Sequence, residues 1–96
     1  MIRHVVLLAW KDGTTTDQIS AVETALAQMP EVMPFIHRYE MGRDLGISGS
    51  HDFAIVADFD NEADYRAYAE HPDHQAVLTN VLGPVVESKA RVQYSF

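Results

Sequence analysis

The 96-residue chain contains no cysteine. That excludes a disulfide framework, a thiolate nucleophile and any cysteine-built zinc or iron–sulfur site. Basic residues are also scarce: seven Lys and Arg stand against fourteen Asp and Glu, a formal net charge of −7. A surface of that sign repels phosphate backbones and anionic lipid, which argues against nucleic acid and membrane as partners. No apolar run approaches the roughly 20 residues of a membrane span. The short run in MIRHVVLLAWKDG lacks a small-residue cleavage site, so the expected location is cytoplasmic. Repeats, linkers and low-complexity tracts are absent as well, and residues 1–96 read as one domain. A chain of this length buries roughly 60 to 68% of its unfolded surface and folds without a staple.

What is present alternates between strands and helices. IRHVVLLAW, residues 2 to 10, is β-branched and apolar and is closed by the turn KDGTT. Side chains alternate along a strand, so His4, Val6, Leu8 and Trp10 share one face and Val5, Leu7 and Ala9 the other. Residues 15 to 29 set Ile19, Val22, Leu26 and Met29 on one helical stripe, with Thr15 and Gln18 spaced as a capping box and Pro30 as the stop. A second strand follows over residues 35 to 43, where Phe35, His37, Tyr39 and Met41 alternate with Ile36, Arg38 and Glu40. After the loop DLGISGS, HDFAIVADFD forms a third strand with Phe53, Ile55, Ala57 and Phe59 on one face. Asp60 is placed to cap the helix NEADYRAYAEH, and Pro72 separates it from a further helical piece running from Asp73 to about Leu82. Gly83 and Pro84 stop that piece, and ARVQYSF is the last strand.

Strand, helix, strand, strand, helix, strand is the βαββαβ order of a ferredoxin-like α+β fold, a four-stranded antiparallel sheet with both helices on one face. The first and third strands, however, are apolar on both faces, whereas a sheet wetted on one side should be polar there. A second copy packed sheet against sheet covers the open face. The sequence therefore predicts a homodimer.

The chemistry-bearing residues concentrate in YAEHPDHQAV, residues 68 to 77. As a metal clip the stretch falls short: His71 and His74 are three apart, with His4, His51 or Asp73 in reserve, and Pro72 breaks the helix between them. No metal site and no cofactor are predicted. As an acid/base pair, His74 brings a side chain that titrates near neutrality and Tyr68 a hydroxyl able to donate to a developing oxyanion. The plainer account is that the two histidines hydrogen-bond backbone groups freed at the proline joint.

Elsewhere His4 interrupts an apolar strand face beside Val6 and Leu8, which is common for a core histidine with a satisfied ring. Trp10, Tyr39 and Phe53 fill a core or line a cavity. Arg43, Asp44 and His51 bracket the glycine-containing loop, as gate to a pocket or as solvated connection. Asp58, Asp60, Glu62 and Asp64 read as helix-capping charge rather than paired catalytic carboxylates.

MIRHVVLLAWKDGTT, HDFAIVADFDNEADYRAYAEHPDHQAV and the closing RVQYSF together resemble the stress-responsive A/B-barrel domain family, Dabb, over nearly the whole chain. The resemblance implies a ferredoxin-like protomer paired into a dimeric α+β barrel. It also implies a comparison with a plant member that closes an aromatic polyketide ring by aldol condensation. The working pair of that cyclase lies in a Y-x-x-H-P-x-H segment, which puts the tyrosine on Tyr68 and the catalytic histidine on His74, with a pocket-lining histidine on His4. Where the cyclase has bulky aromatics, this chain has Val22, Ala25 and Leu26, so the substrate does not carry over.

Two function classes follow. One is a cofactor-free lyase, isomerase or cyclase acting on a small carbonyl compound, with His74 and Tyr68 catalytic and His4, Val6, Leu8, Ile55 and His51 binding. The other is a non-catalytic dimeric module that holds a small apolar ligand or serves in stress. A cofactor-independent monooxygenase on the same barrel is a third, outlying reading.

Overall fold

The computed structural model describes residues 1–96. Its elements run β1 (Ile2–Trp10), α1 (Thr16–Ala27), α2 (Met29–Val32), β2 (Arg38–Arg43), β3 (Phe53–Phe59), α3 (Glu62–Glu70), α4 (Pro72–Val77), a π-helical segment (Leu78–Leu82) and β4 (Val86–Ser95). The four strands form one antiparallel sheet in the order β2-β3-β1-β4, the ferredoxin-like arrangement. No helix is long and apolar enough to cross a membrane.

Local chemistry explains the boundaries. Thr15 and Gln18 make the expected capping box: the Gln18 amide donates to the Thr15 hydroxyl oxygen at 3.1 Å, and the Thr15 amide donates to Gln18 Oε1 at 2.8 Å. α1 ends at Ala27, and Pro30 sits in the first turn of α2, where its missing N–H costs nothing.

Several boundaries differ from expectation, the end of α1 at Ala27 rather than residue 29 among them. β2 begins at Arg38 rather than residue 35, because the Ile36 amide turns back to the Met33 carbonyl and both side chains plug the core. β3 spans 53–59, shorter by two residues at its start and one at its end. The cap of α3 is Asn61, whose Oδ1 accepts from the Asp64 amide at 2.9 Å, while Asp60 pairs instead with His37 Nε2 at 2.7 Å. α4 starts on Pro72 itself, again a first-turn proline. β4 begins at Val86, four residues early, because its extra length is the polar stretch Glu87–Lys89, which carries no strand-like alternation.

The face of the sheet toward the helices forms the core. Leu8, Phe53 and Ile55 pack with Val22, Leu26, Leu82 and Val85, and Ala57 and Phe59 pack with Met29, Met33, Ile36 and Tyr68. The register places Val5 between Val56 and Val92, and Leu7 between Ala54 and Ala90, on the opposite face. Val92 and Tyr94 on that face are 55% and 47% exposed, so the apolar surface is uncovered within the protomer. At one end of it Arg3 grips Asp58 with two hydrogen bonds, 2.7 and 2.8 Å. That pairing, rather than helix capping, is the role of Asp58.

Candidate active site

α3 and α4 meet at an extended residue, His71, whose Nδ1 accepts from the Asp73 amide at 3.1 Å and so caps α4. This turn carries His74 back beneath the last turn of α3. There its Nδ1–H donates to the Ala69 carbonyl at 3.2 Å and its ring lies on Tyr68, centroids 4.1 Å apart. With Nδ1 holding the proton, Nε2 keeps its lone pair. Burial lowers the His74 pKa, and the positive charge of Lys89 lowers it further against the opposing pull of the Ala69 carbonyl, so the ring is neutral at pH 7.

His4 comes from β1, on the helix-facing side, opposite Ala57 of β3 and Gln93 of β4. The Gln93 side-chain amide donates to His4 Nδ1 at 2.8 Å. That bond puts the His4 proton on Nε2, making the other edge of the ring a donor. Burial, helped by the positive charge of Arg91 and, once it is protonated in acid, by His74, pushes its pKa down to about 4. Tyr68, 3% exposed, shares a hydrogen bond of 2.9 Å with the Tyr39 hydroxyl. Burial and the neighbouring phenols raise its pKa, which keeps it protonated and a donor rather than a base.

These groups converge. His4, Val6, Leu8, Ile55, Tyr68 and His74 all line one cavity of about 350 Å³, closed on the helical side by Leu26, Leu78 and Leu82 and opening along β4. Gly83 at the end of the π-helical segment closes a five-residue bond to the Leu78 carbonyl, 2.8 Å. A Cβ there would stand 2.9 Å from the Thr79 carbonyl oxygen. No buried side-chain polar atom is left without a partner, so the Nε2 atoms of His4 and His74, which bond no protein group, open on accessible space.

His51 is not brought to this cavity; it lies in a separate hollow at the β2–β3 loop with Leu7, Arg43, Asp44, Ser50 and Ala54. Arg43 is engaged there by Glu23 and Ser20 of α1. Trp10 packs on Phe53 in the core, and Tyr39 reaches the site only through Tyr68. No group of three His, Asp or Glu side chains is placed to hold a metal ion. Sequence reasoning missed Gln93, Lys89 and Arg91. Their signal is positional: once β4 is in register, Gln93, Arg91 and Lys89 stand opposite His4, Val6 and Leu8.

A four-stranded ferredoxin-like sheet with a histidine- and tyrosine-lined cavity under its helices defines an α+β barrel protomer. The family model described as the Stress Responsive A/B Barrel Domain, Dabb, matches residues 2–96, and the chain belongs to that family. It is similar to the Arabidopsis thaliana stress-response A/B barrel domain-containing protein HS1, 24% identical over 85 residues, covering 85% of this chain and 78% of that protein. A crystal structure of a dimeric ferredoxin-like protein of unknown function from Thermobifida fusca superposes with a TM-score of 0.90 at 43% identity, covering 99% of this chain and 90% of that one. The hydroxynitrile lyase of Passiflora edulis shares the fold, with a TM-score of 0.84 at 19% identity over 97% of this chain and 90% of its own.

Proposed function

We propose that the protein is a cytoplasmic homodimer and a cofactor-free enzyme of lyase or cyclase type, which enolises a small carbonyl substrate in the cavity of His74, Tyr68 and His4. His74 Nε2 takes the proton from the carbon beside the carbonyl, and the C–H electron pair moves onto the carbonyl oxygen. His4 Nε2–H and the Tyr68 hydroxyl donate to that oxyanion. The enolate carbon then adds to a second carbonyl, and the proton held by His74 passes to the new alkoxide.

The observation that carries this reading is a pair of hydrogen bonds on two histidines that line one cavity: His74 Nδ1 meets the Ala69 carbonyl, which can only accept, and His4 Nδ1 meets the Gln93 side-chain amide, so the two rings are assigned opposite tautomers. Support from likeness is narrower: one neighbour of the same fold is named as a lyase. The dimer rests on the uncovered apolar row of Val5, Leu7, Val56 and Val92, and on the description of the Thermobifida fusca protein as dimeric. A second reading, a ligand-holding module without chemistry, draws on the same His74–Ala69 bond, which also ties the α3–α4 joint.

A screen of polyketide-like and β-keto thioester substrates separates the two. The enzyme reading expects a product that forms with the wild type and disappears with His74→Ala. Ligand retention by both proteins without turnover of any substrate overturns it in favour of the second.

A further inference from the structure

The chain spends its few cations with economy. Four arginines are matched to carboxylates: Arg3 to Asp58 at 2.7 Å, Arg38 to Glu40 at 2.8 Å, Arg43 to Glu23 at 2.6 Å and Arg66 to Glu62 at 2.7 Å. Lys11, Lys89 and Arg91 make no ion pair, although acidic residues outnumber basic ones two to one. Two of these three line the same cavity. They sit two apart on β4, opposite Leu8 and Val6, and so project from the strand toward the helix side. Their charges are felt inside: Lys89 acts on His74 and Arg91 on His4. Glu87 also borders the cavity but forms no salt bridge with either cation.

We propose that Lys89 and Arg91 are a binding site for the carboxylate of the ligand, which is a small acid with an apolar or acyl body. This deepens the functional reading and rests on it for the identity of the cavity. The apolar body is accommodated by Val6, Leu8, Leu26, Leu78 and Leu82, while the head group meets a guanidinium whose planar fork matches a carboxylate and an ammonium beside it. The arrangement sets the direction of entry: acid group at the β4 mouth, chain inward, with the intervening carbonyl left beside the two histidines. In a protein whose net charge is −7, an acidic ligand is otherwise repelled, so two uncompensated cations at this mouth supply the local attraction that the rest of the surface lacks.

The test is binding, not turnover, so that it stands apart from the catalytic claim. Calorimetry and histidine-ring NMR shifts are measured with octanoate and with its neutral isostere octanamide, on the wild type, on Lys89→Met/Arg91→Met and on Lys11→Met. Octanoate is expected to bind the wild type and Lys11→Met, shifting the His4 and His74 resonances, and to bind at least tenfold more tightly than octanamide. The double variant should lose roughly 10- to 100-fold of octanoate affinity and little for octanamide, the scale of one or two hydrogen bonds to a charged group. Equal binding of the two ligands to the wild type overturns the anion site and leaves the cavity reading standing. Unchanged octanoate affinity in the folded double variant also overturns it, and so does failure of octanoate to bind at all. Loss of turnover in His74→Ala remains a separate result in every case.

Discussion

The imidazole of His74 and the phenol ring of Tyr68 lie 4.1 Å apart, centroid to centroid, at an interplanar angle of 40°. They meet in a tilted ring-to-ring contact, with no hydrogen bond between them. The hydroxyl of Tyr68 is turned to Tyr39 and the outward nitrogen of His74 bonds no protein group, so in the proposed reaction the two residues act on different atoms of a substrate. Their effects on substitution should differ accordingly.

His74→Ala is expected to lower kcat about 10²- to 10⁴-fold, the range for loss of a general base. Tyr68→Phe should lower it less, because His4 still donates to the same oxyanion. His71→Ala should leave turnover near the wild-type value while reducing stability by about 1 kcal/mol, the cost of a lost helix cap. Steady-state kinetics and thermal melts on the three variants give the ordering. Equal loss of activity in all three contradicts it.

The pH profile should have one ascending limb. A base that works only when neutral, and whose pKa is held below the ordinary histidine value by burial, is fully competent at pH 7 and is lost on acidification. kcat/KM is therefore predicted to be flat around neutrality and to fall below the usual histidine range. A profile still rising above pH 7 would assign the base elsewhere.

Stability has its own pH window, set by His4. The folded pKa near 4 lies below the unfolded value of 6.5, so the unfolded chain binds the extra proton between those limits and stability drops as pH falls through them. The loss approaches on the order of 3 kcal/mol by pH 4. Urea unfolding at pH 7 and pH 4.5 should show it, and His4→Gln should reduce the dependence, with His74, also held low by burial, supplying the remainder. Asp58, held below the usual carboxylate range by Arg3, adds a further loss at more acidic pH, as its own folded pKa is reached.

Gly83→Ala should be tolerated poorly although its backbone φ is ordinary, because the added methyl meets the Thr79 carbonyl oxygen at 2.9 Å. The expected cost is about 1 to 3 kcal/mol, a fall in Tm of several degrees or more. An unchanged Tm would mean that the π-helical turn yields freely, and the cavity wall of Leu78 and Leu82 with it.

Light scattering of the wild type at micromolar concentration should give a dimer mass. Leu7→Glu places a charge on the uncovered face between Ala54 and Ala90 and should leave a monomer. A dimer that survives the substitution would locate the interface elsewhere.

Much of this architecture was readable because it is locally encoded. The two-faced strand at residues 2–10, the Thr15–Gln18 box and the Pro72 joint each declare themselves within a few residues. Tyr68 and His74 stand out in the sequence through the Y-x-x-H-P-x-H segment and His4 as a histidine on an apolar strand, and all three line one cavity. What escaped depends on strand register. Gln93 is an unremarkable polar residue until β4 places it beside His4, and Tyr39 acquires a role only where β2 carries it to Tyr68. Asp60 and Asn61 are both competent caps, and the choice fell to Asn61 once His37 engaged its neighbour. His51 lines a different hollow, because the β2–β3 loop that carries it is tied to the end of β1 through Asp52, which bonds Leu8 and Trp10.

Proton abstraction at the cavity can be observed without knowing the eventual product. Deuterium from solvent should enter the carbon between the carbonyls of a short β-keto thioester, followed by proton NMR with wild type and His74→Ala in parallel at pH 7. The account predicts enzyme-dependent exchange in the wild type that falls at least 100-fold in the folded variant. Exchange at the buffer rate with every β-keto compound tried, or exchange that His74→Ala leaves intact, would contradict it.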